Sequence, residues 1–438
     1  MKLIIHRGAN EIGGSCVEIQ SGDSRILIDF GMPLVDSKKQ PFDSKSIAGK
    51  SVEELKKAKT LPDIKGLYKD EQPQIDAILI SHSHLDHYGL LDFANDKIPV
   101  YISRGAKELV KVTNIFLNKN IKLTDTRIIK HKSSFHIKGF KITPYLVDHS
   151  AFDAFAFLIE AEGKRIFYSG DFRASGWKKS LFDRFIKNPP KNVYCLLMEG
   201  TTIERQDSAF PDEPAVLSSI QKVLGKPETN VLLAYCSGQN IDRIVTFYKA
   251  VRHAKATLII DPYIATVLHV LKNECNKIPQ LDWNNIKVLI GDYRGRGDIY
   301  INKIVKSNFK YLTFDIGRHK IKTWEVGREK CIVLMRDSMI PLVERIPGVK
   351  GTTLIYSQWK GYIRDKKKAR AFWAFVDANN FTVEYIHTSG HAVLKDLRRF
   401  AKALSPKCLV PIHTFEAARY PKFFENVNIV KDGEPFLI

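Results

Sequence analysis

The chain has 438 residues, 44% of them apolar and 26% charged, proportions of a globular protein and not of a disordered or fibrous one. Lysine plus arginine outnumber aspartate plus glutamate by 68 to 48, and the formal net charge of +20 points to a polyanionic partner, nucleic acid first. No run reaches the roughly 18 apolar residues of a membrane-crossing helix, MKLIIHRGAN is too short in apolar residues for a signal peptide, and none of the six cysteines forms a CxxC pair, so a reducing, cytoplasmic setting without membrane, disulfide scaffold or thiolate zinc site is expected.

In chain order, SCVEIQ (15–20) and RILIDF (25–30) read as strands joined by an SGD turn. Residues 35–73 are a polar, Lys-rich excursion with weak helical periodicity in SVEELKKAKTL; LPDIKGLY within it is a candidate lid or flank of a cleft. IDAILI (75–80) is a buried strand, and VYISRGAKELVKVTNIFL (100–117) begins as a strand and becomes a helix. FKITPYLVDHS, AFAFLIEAEGKRIFYSGDF and NVYCLLMEG supply further strands up to residue 200. From about 208 helix-like AVLSSIQKVLG, NIDRIVTFYKAVRHA and IATVLHVLKNE alternate with short apolar strands, the rhythm of a mostly parallel α/β sheet. This predicts a second domain over 208–367, closed by the basic run RDKKKAR, between a first domain over 1–207 and its return over 368–438.

The residues that carry chemistry begin with SHSHLDHYG (81–89), just beyond the strand AILI. His82 and His84 stand two apart and can point the same way in extended chain, while Asp86 and His87 open a following helix and face a second position. Imidazole and carboxylate suit zinc or manganese, and such ions acidify a water to a nucleophile near neutral pH. His149 after YLVD, Asp171 after IFYSG and His413 after LVPI sit at similar strand ends. Asp171, with two carboxylate oxygens, is suited to bridging two ions.

With HxHxDH at 82–87, His149 in VDHS and Asp171 in SGDF, the chain resembles the metallo-β-lactamase fold of dinuclear hydrolases. Asp29 in LIDFG matches that family's early aspartate, which orients the HxHxDH loop. Glu199 in LLMEGTT, His391 in TSGHA and His413 in VPIHTFE match its nucleic-acid-processing β-CASP branch. The resemblance spans nearly the whole chain and implies an α/β architecture, an αββα sandwich with an inserted β-CASP domain. It implies that His82, His84 and His149 hold one divalent ion, that Asp86, His87 and His413 hold a second, and that Asp171 bridges them, with zinc favoured and manganese open. It casts Asp86, Glu199 and His391 as catalytic, His391 acting on the scissile phosphate as general acid or oxyanion stabiliser with Glu199 behind it.

Two glycine-containing turns at helix starts, CSGQN with Ser237 and TSGHA with Ser389 and Gly390, offer amides to substrate phosphates. RIIKHK (127–132), DYRGRG (292–297) and RDKKKAR read either as a phosphate track or as solvated surface. Tyr293 is a candidate base platform, Trp359 reads as packing, and His6 and His387 match no metal position. The resemblance to the ribonuclease J and cleavage-factor group implies an RNA-processing hydrolase, cutting internally, from the 5′ end or both. J-type ribonucleases carry a further domain beyond the last histidine, where this sequence ends soon after His413, so monomer and homodimer both stay open. The rival readings are a DNA-directed nuclease of the same branch, a small-molecule metallo-hydrolase and a non-catalytic RNA-binding protein; the complete ligand set weighs against the last.

Overall fold

A computed structural model describes residues 1–36, 40–204, 211–291, 295 and 297–438. Tyr293 and most of DYRGRG lie outside the described residues. Strands β1 (Lys2–Arg7), β2 (Cys16–Ser21), β3 (Ser24–Ile28), β4 (Ala77–Leu79), β5 (Val100–Ser103) and β6 (Thr126–Ile129) form a first sheet in chain order. It is antiparallel from β1 to β3 and parallel from β3 to β6. Strands β7 (Phe135–Ile137), β8 (Phe140–Leu146), β9 (Phe155–Ala161), β10 (Lys164–Tyr168) and β11 (Cys195–Glu199) form a second. Strands β12 (Val231–Tyr235), β13 (Thr257–Ile260), β14 (Ile286–Leu289), β15 (Lys320–Ile321), β16 (Cys331–Met335), β17 (Thr353–Tyr356) and β18 (Thr382–Tyr385) build a third sheet, ordered β15-β14-β13-β16-β12-β17-β18 with every pairing parallel. The chain then returns: β19 (Cys408–Ile412) pairs parallel with β11, and β20 (Pro435–Leu437) pairs antiparallel with β1.

The first two sheets face each other across one core, Ile5, Ile26, Ile28 and Leu79 meeting Phe157, Ile159, Leu197 and Val410. Helices α1 (Val52–Lys57), α2 (Leu85–Tyr88), α3 (Arg104–Leu117) and α4 (Lys179–Lys187) follow in the same half of the chain. Leu55 of α1 and Ala106 and Val110 of α3 cover Leu27 and Ile78 on the outer side of the first sheet. Phe182 of α4 with Leu397 and Phe400 of the helix Leu394–Leu404 covers Leu158, Phe167 and Leu196 of the second. Four layers result, helix–sheet–sheet–helix, because each sheet has two apolar faces to bury. Helices α5 (Glu213–Leu224), α6 (Ile241–His253) and α7 (Pro262–Val270) pack on one face of the third sheet. The helix Arg370–Ala378, through Phe372, Phe375 and Val376, packs on the other.

The predicted return at residue 368 is too early. The helix Arg370–Ala378 and β18 belong with the third sheet, since Thr353–Tyr356 pairs residue for residue with Thr382–Tyr385. FTVEY has the half-polar pattern of an edge strand, which suits either sheet, and only pairing decides between them. RDKKKAR therefore lies inside the inserted unit. Among the described residues no helix is long and apolar enough to cross a membrane.

Candidate metal centre

The carboxyl ends of β4, β8, β10, β11 and β19 lead into His82–His87, His149, Asp171, Glu199 and His413. The turn that carries the first group is pinned to the neighbouring chain. Ser15 N–H donates to the Asp86 carbonyl at 3.0 Å, Phe30 N–H to the His87 carbonyl at 2.8 Å and Met32 N–H to the Leu85 carbonyl at 2.9 Å. Gly31 allows this approach, because a Cβ there would run into the Asp86 carbonyl.

Ligand atoms of His82, His84 and His149 lie within 4.8 Å of one another, as do those of Asp86, His87 and His413. Asp171 stands between the groups: its Oδ2 is 3.8 Å from His82 Nε2 and 3.2 Å from His87 Nε2, and its Oδ1 is 3.7 Å from His413 Nδ1. Asp86 Oδ2 is 3.3 Å from His413 Nε2. Neither His82 Nε2 nor His87 Nε2 has a hydrogen-bond partner although both are buried. A buried polar atom left so is costly. Imidazole nitrogens and carboxylate oxygens aimed into one space are a donor set for divalent metal ions, and the residues fit that role.

The surroundings set which nitrogen is free. Asp29 Oδ2 accepts from His87 Nδ1–H at 2.8 Å, from the Ser81 hydroxyl at 2.8 Å and from the Tyr168 hydroxyl at 2.7 Å; its Oδ1 accepts from Ser81 N–H at 2.7 Å. His149 Nδ1–H donates to the Gly390 carbonyl at 2.6 Å, and Thr201 Oγ1 lies 2.8 Å from His413 Nδ1. These contacts turn Nε2 of His87, His149 and His413 toward the cluster. Asp29 and His413 have φ of 59° and 51°, a left-handed conformation that non-glycine residues adopt rarely. His413 is held there by its N–H bond to the Gly8 carbonyl at 2.7 Å. We expect Asp29→Ala to weaken divalent-metal affinity by about 10–100-fold, read by competition with a chromogenic chelator. Unchanged affinity would reduce Asp29 to a folding role.

Burial, together with neighbouring imidazoles, pushes His82 and His149 well below the ordinary histidine range, and burial holds His84 at about 4. All three are neutral at pH 7, the form that binds metal. Burial would depress His87 and His413 too, but Asp171 with Asp29 and Asp86 lifts His87, and Asp171 with Asp86 lifts His413. Burial raises the carboxylates less than the histidines lower them: Asp86 sits at about 2, and Asp171 falls well below its usual range. A cation entering the cluster would displace protons from His87 and His413.

His391 stands at the rim, its side chain 19% exposed, with Nδ1 3.4 Å from Glu199 Oε2 and 3.8 Å from Asp171 Oδ2. Glu199 is fully buried and accepts from the backbone N–H groups of Thr201 at 3.0 Å and Ala392 at 3.2 Å, so it also clamps the loop that bears His391. Ser389 Oγ accepts from His391 N–H at 3.1 Å, and Gly390 packs on Ser150 where a Cβ would crowd its hydroxyl at 2.7 Å. Ser237 is exposed beyond β12, on the inserted unit, and accepts from Gln239 N–H at 3.3 Å. His6 pairs with Glu18 at 2.8 Å, and His387 Nδ1 lies 3.2 Å from the Ser357 carbonyl, both outside the donor groups.

Two buried arginines tie the site to the inserted unit. Arg173, fully buried, donates to Asp242 at 2.5 Å, to Asp148 at 3.4 Å and to the Ser389 carbonyl at 3.0 Å. Arg243, also buried, donates to both oxygens of Glu213 at 3.0 and 3.2 Å and to the Ser357 carbonyl at 3.1 Å. Arg173 lies 3.6 Å from Glu213, which joins the two sets. The network ties the strand ends before His149 and after Asp171 to α5, α6 and the His391 loop. The arginine in SGDFR gives a signal in the sequence; its partners, far away in the chain, give none.

A helix–sheet–sheet–helix sandwich with a His/Asp donor cluster at its strand ends, interrupted by a parallel α/β unit, defines a metallo-β-lactamase-fold hydrolase. A model of the beta-lactamase superfamily domain matches residues 54–217. Ribonuclease J of Mycoplasma genitalium is 25% identical over 449 aligned positions, covering 100% of this chain and 72% of that protein. Ribonuclease J of Mycoplasma pneumoniae is 24% identical over 422, covering 94% and 67%. A solved structure of a protein of unknown function from Enterococcus faecalis V583 shares the fold, with a TM-score of 0.77 at 19% identity over 100% of this chain and 99% of that one. Over its whole length the chain is thus similar to ribonuclease J-type proteins of the metallo-β-lactamase fold.

Proposed function

We propose that this protein is a metal-dependent ribonuclease that hydrolyses phosphodiesters at the His/Asp cluster, with RNA preferred over DNA, acting in the cytoplasm. The observation that carries the reading is the convergence of His82, His84, His149, Asp86, His87 and His413 around Asp171, with buried Nε2 atoms that nothing else satisfies. Two divalent ions, zinc before manganese, fit the two groups of donors, and when bound they would polarise the phosphate and acidify the attacking water. Asp171 lies within reach of both groups and would hold them at a fixed separation. Asp86 Oδ2 lies 3.3 Å from His413 Nε2 and 3.9 Å from His87 Nε2. His391, half-buried at the rim with Glu199 beside it, would protonate the leaving oxygen or stabilise charge on the phosphate. Ser389 and Gly390, in its loop, and Ser237 on the inserted unit would contact substrate phosphates.

The test uses one RNA and one DNA of identical sequence, each with a 5′-monophosphate or a 5′-hydroxyl and an internal fluorophore, incubated with zinc- or manganese-loaded protein. RNA cleavage is the expected result. Early mononucleotides from 5′-phosphorylated RNA alone would define a 5′-exonuclease, and internal fragments indifferent to the 5′ end an endonuclease. Preferential cutting of DNA, or no cutting of either strand, would overturn the assignment. In the same assay His391→Ala should lower turnover by about 10²–10⁴-fold with a smaller loss of RNA affinity. Wild-type turnover in that variant would remove His391 from the chemistry.

A further inference from the structure

We propose that the segment Trp359–Arg370 is a stacking platform for single-stranded nucleic acid, with Trp359 and Tyr362 as the base-stacking surface and the surrounding lysines and arginines as phosphate contacts. The inference rests on the ribonuclease reading above and names where a substrate strand is held beside the metal centre.

By residue type Trp359 reads as packing, but it is 43% exposed and Tyr362 is 63% exposed. The two rings meet edge to face with centroids 5.3 Å apart. The indole is seated on Gly361, where a Cβ would collide with it. Ile363 anchors the segment in the core, and the Trp373 indole N–H donates to the Ile363 carbonyl at 3.0 Å. The aromatic pair is therefore displayed on a fixed base.

The charge around it selects the partner. Lys360, Arg364, Lys366, Lys367, Lys368 and Arg370 are all exposed, with Asp365 the one acidic residue among them. Lys360 Nζ lies 4.3 Å over the Tyr385 ring and Lys366 Nζ 4.9 Å over Trp373. An apolar protein partner would be poorly matched by six cations, whereas a polyanion whose units carry flat rings fits both features. The bases must be unpaired, because a duplex hides their faces.

Position ties the platform to the cleft. β17 and β18 run parallel, Tyr356 opposite Tyr385, so Trp359 and the His391 loop leave the same edge of the sheet side by side. The two exits are joined: the Ser357 hydroxyl donates to the Ile386 carbonyl at 2.6 Å, and the Ser357 carbonyl lies 3.2 Å from His387 Nδ1. At the far end of the segment, Lys368 Nζ donates to Gln40 Oε1 at 2.7 Å. Gln40 belongs to the sandwich loop that carries Leu34, and a Cβ on Gly13 would touch both Leu34 and Asp86. The basic segment thus reaches from the loop of His391 to the sandwich loop of Gln40 and Leu34.

The experiment measures binding of a short fluorescein-labelled RNA, single-stranded or as a blunt duplex, by fluorescence anisotropy. The protein carries His84→Ala throughout to prevent cleavage. Trp359→Ala should weaken single-strand binding by about tenfold, with a smaller effect on the duplex. Trp359→Phe should restore most of it. Trp324→Ala is the control: that tryptophan is 62% exposed and follows β15, at the opposite edge of the same sheet, and its loss should change nothing. Equal single-strand affinity in Trp359→Ala, or an equal loss for both RNA forms, would overturn the platform. Trp359-dependent binding by a protein whose His84 parent cleaves no RNA would keep the platform and sink the ribonuclease reading. Cleavage by that parent with Trp359-independent binding would do the reverse.

Discussion

Asp171→Asn should abolish phosphodiester cleavage while the protein stays folded. The substitution keeps the shape of the side chain and removes its charge. Asp171 Oδ2 lies 3.2 Å from His87 Nε2 and its Oδ1 3.7 Å from His413 Nδ1, so the neutral amide would present an N–H or a weaker oxygen where both donor groups converge. A catalytic ion is worth several kcal/mol of transition-state stabilisation, and each ~1.4 kcal/mol is a factor of ten, so the rate should fall by about 10³-fold or more. His84→Ala should do the same through one group alone, since His84 Nδ1 lies 3.2 Å from His149 Nε2 and its removal breaks the three-histidine set. Metal content by mass spectrometry and cleavage of labelled RNA should fall together, while circular dichroism stays that of the wild type. A fully metallated Asp171→Asn protein that cleaves RNA at the parent rate would dismiss the carboxylate as a ligand.

How much of this site is legible in the sequence depends on chain distance and backbone geometry. HxHxDH announces itself because four donors fall within six residues, and no core strand absorbs them. His149, Asp171 and His413 are legible as polar residues capping apolar runs, the place where α/β folds build sites. The contacts that orient them are not. Tyr168 and Asp29 bond at 2.7 Å across 139 residues of chain, and no pattern in either stretch names the other. The left-handed backbone at Asp29 and His413 is equally hidden, because these positions read as ordinary strand ends. Sheet membership fails for a related reason. FTVEY reads as a strand in either sheet, and the register against Thr353–Tyr356 assigns it. Trp359 reads as packing by residue type, while its neighbours are basic residues on an exposed turn.

Arg173→Met should destabilise the protein more than any single change in the His/Asp cluster. The guanidinium is fully buried and supports three separate segments: Asp148 beside His149, Asp242 in α6, and the Ser389 carbonyl in the loop of His391. Methionine fills much of the volume, so the loss is electrostatic. Burial already raises the Asp148 carboxyl above its usual range although Arg173 pulls it down, and Asp242 would be left with Lys178, 3.7 Å away. Breaking a buried pair from one side costs about 3–5 kcal/mol, which for a protein of this size is a fall in melting temperature of roughly 3–5 °C. Arg173→Lys should recover only part of this, because one ammonium cannot reach three acceptors in the planar fork that arginine provides. Adding Asp242→Asn to Arg173→Met should also recover part, by removing one of the stranded charges, an interaction visible only in the double-mutant cycle. Differential scanning calorimetry of the four proteins measures it, and a melting temperature within a degree or two of the parent for Arg173→Met would show the network to be dispensable. The domains meet through charges that stabilise little when satisfied and cost much when broken. Such a junction fixes the inserted unit in one orientation, and so fixes the distance from its basic edge to the metal centre.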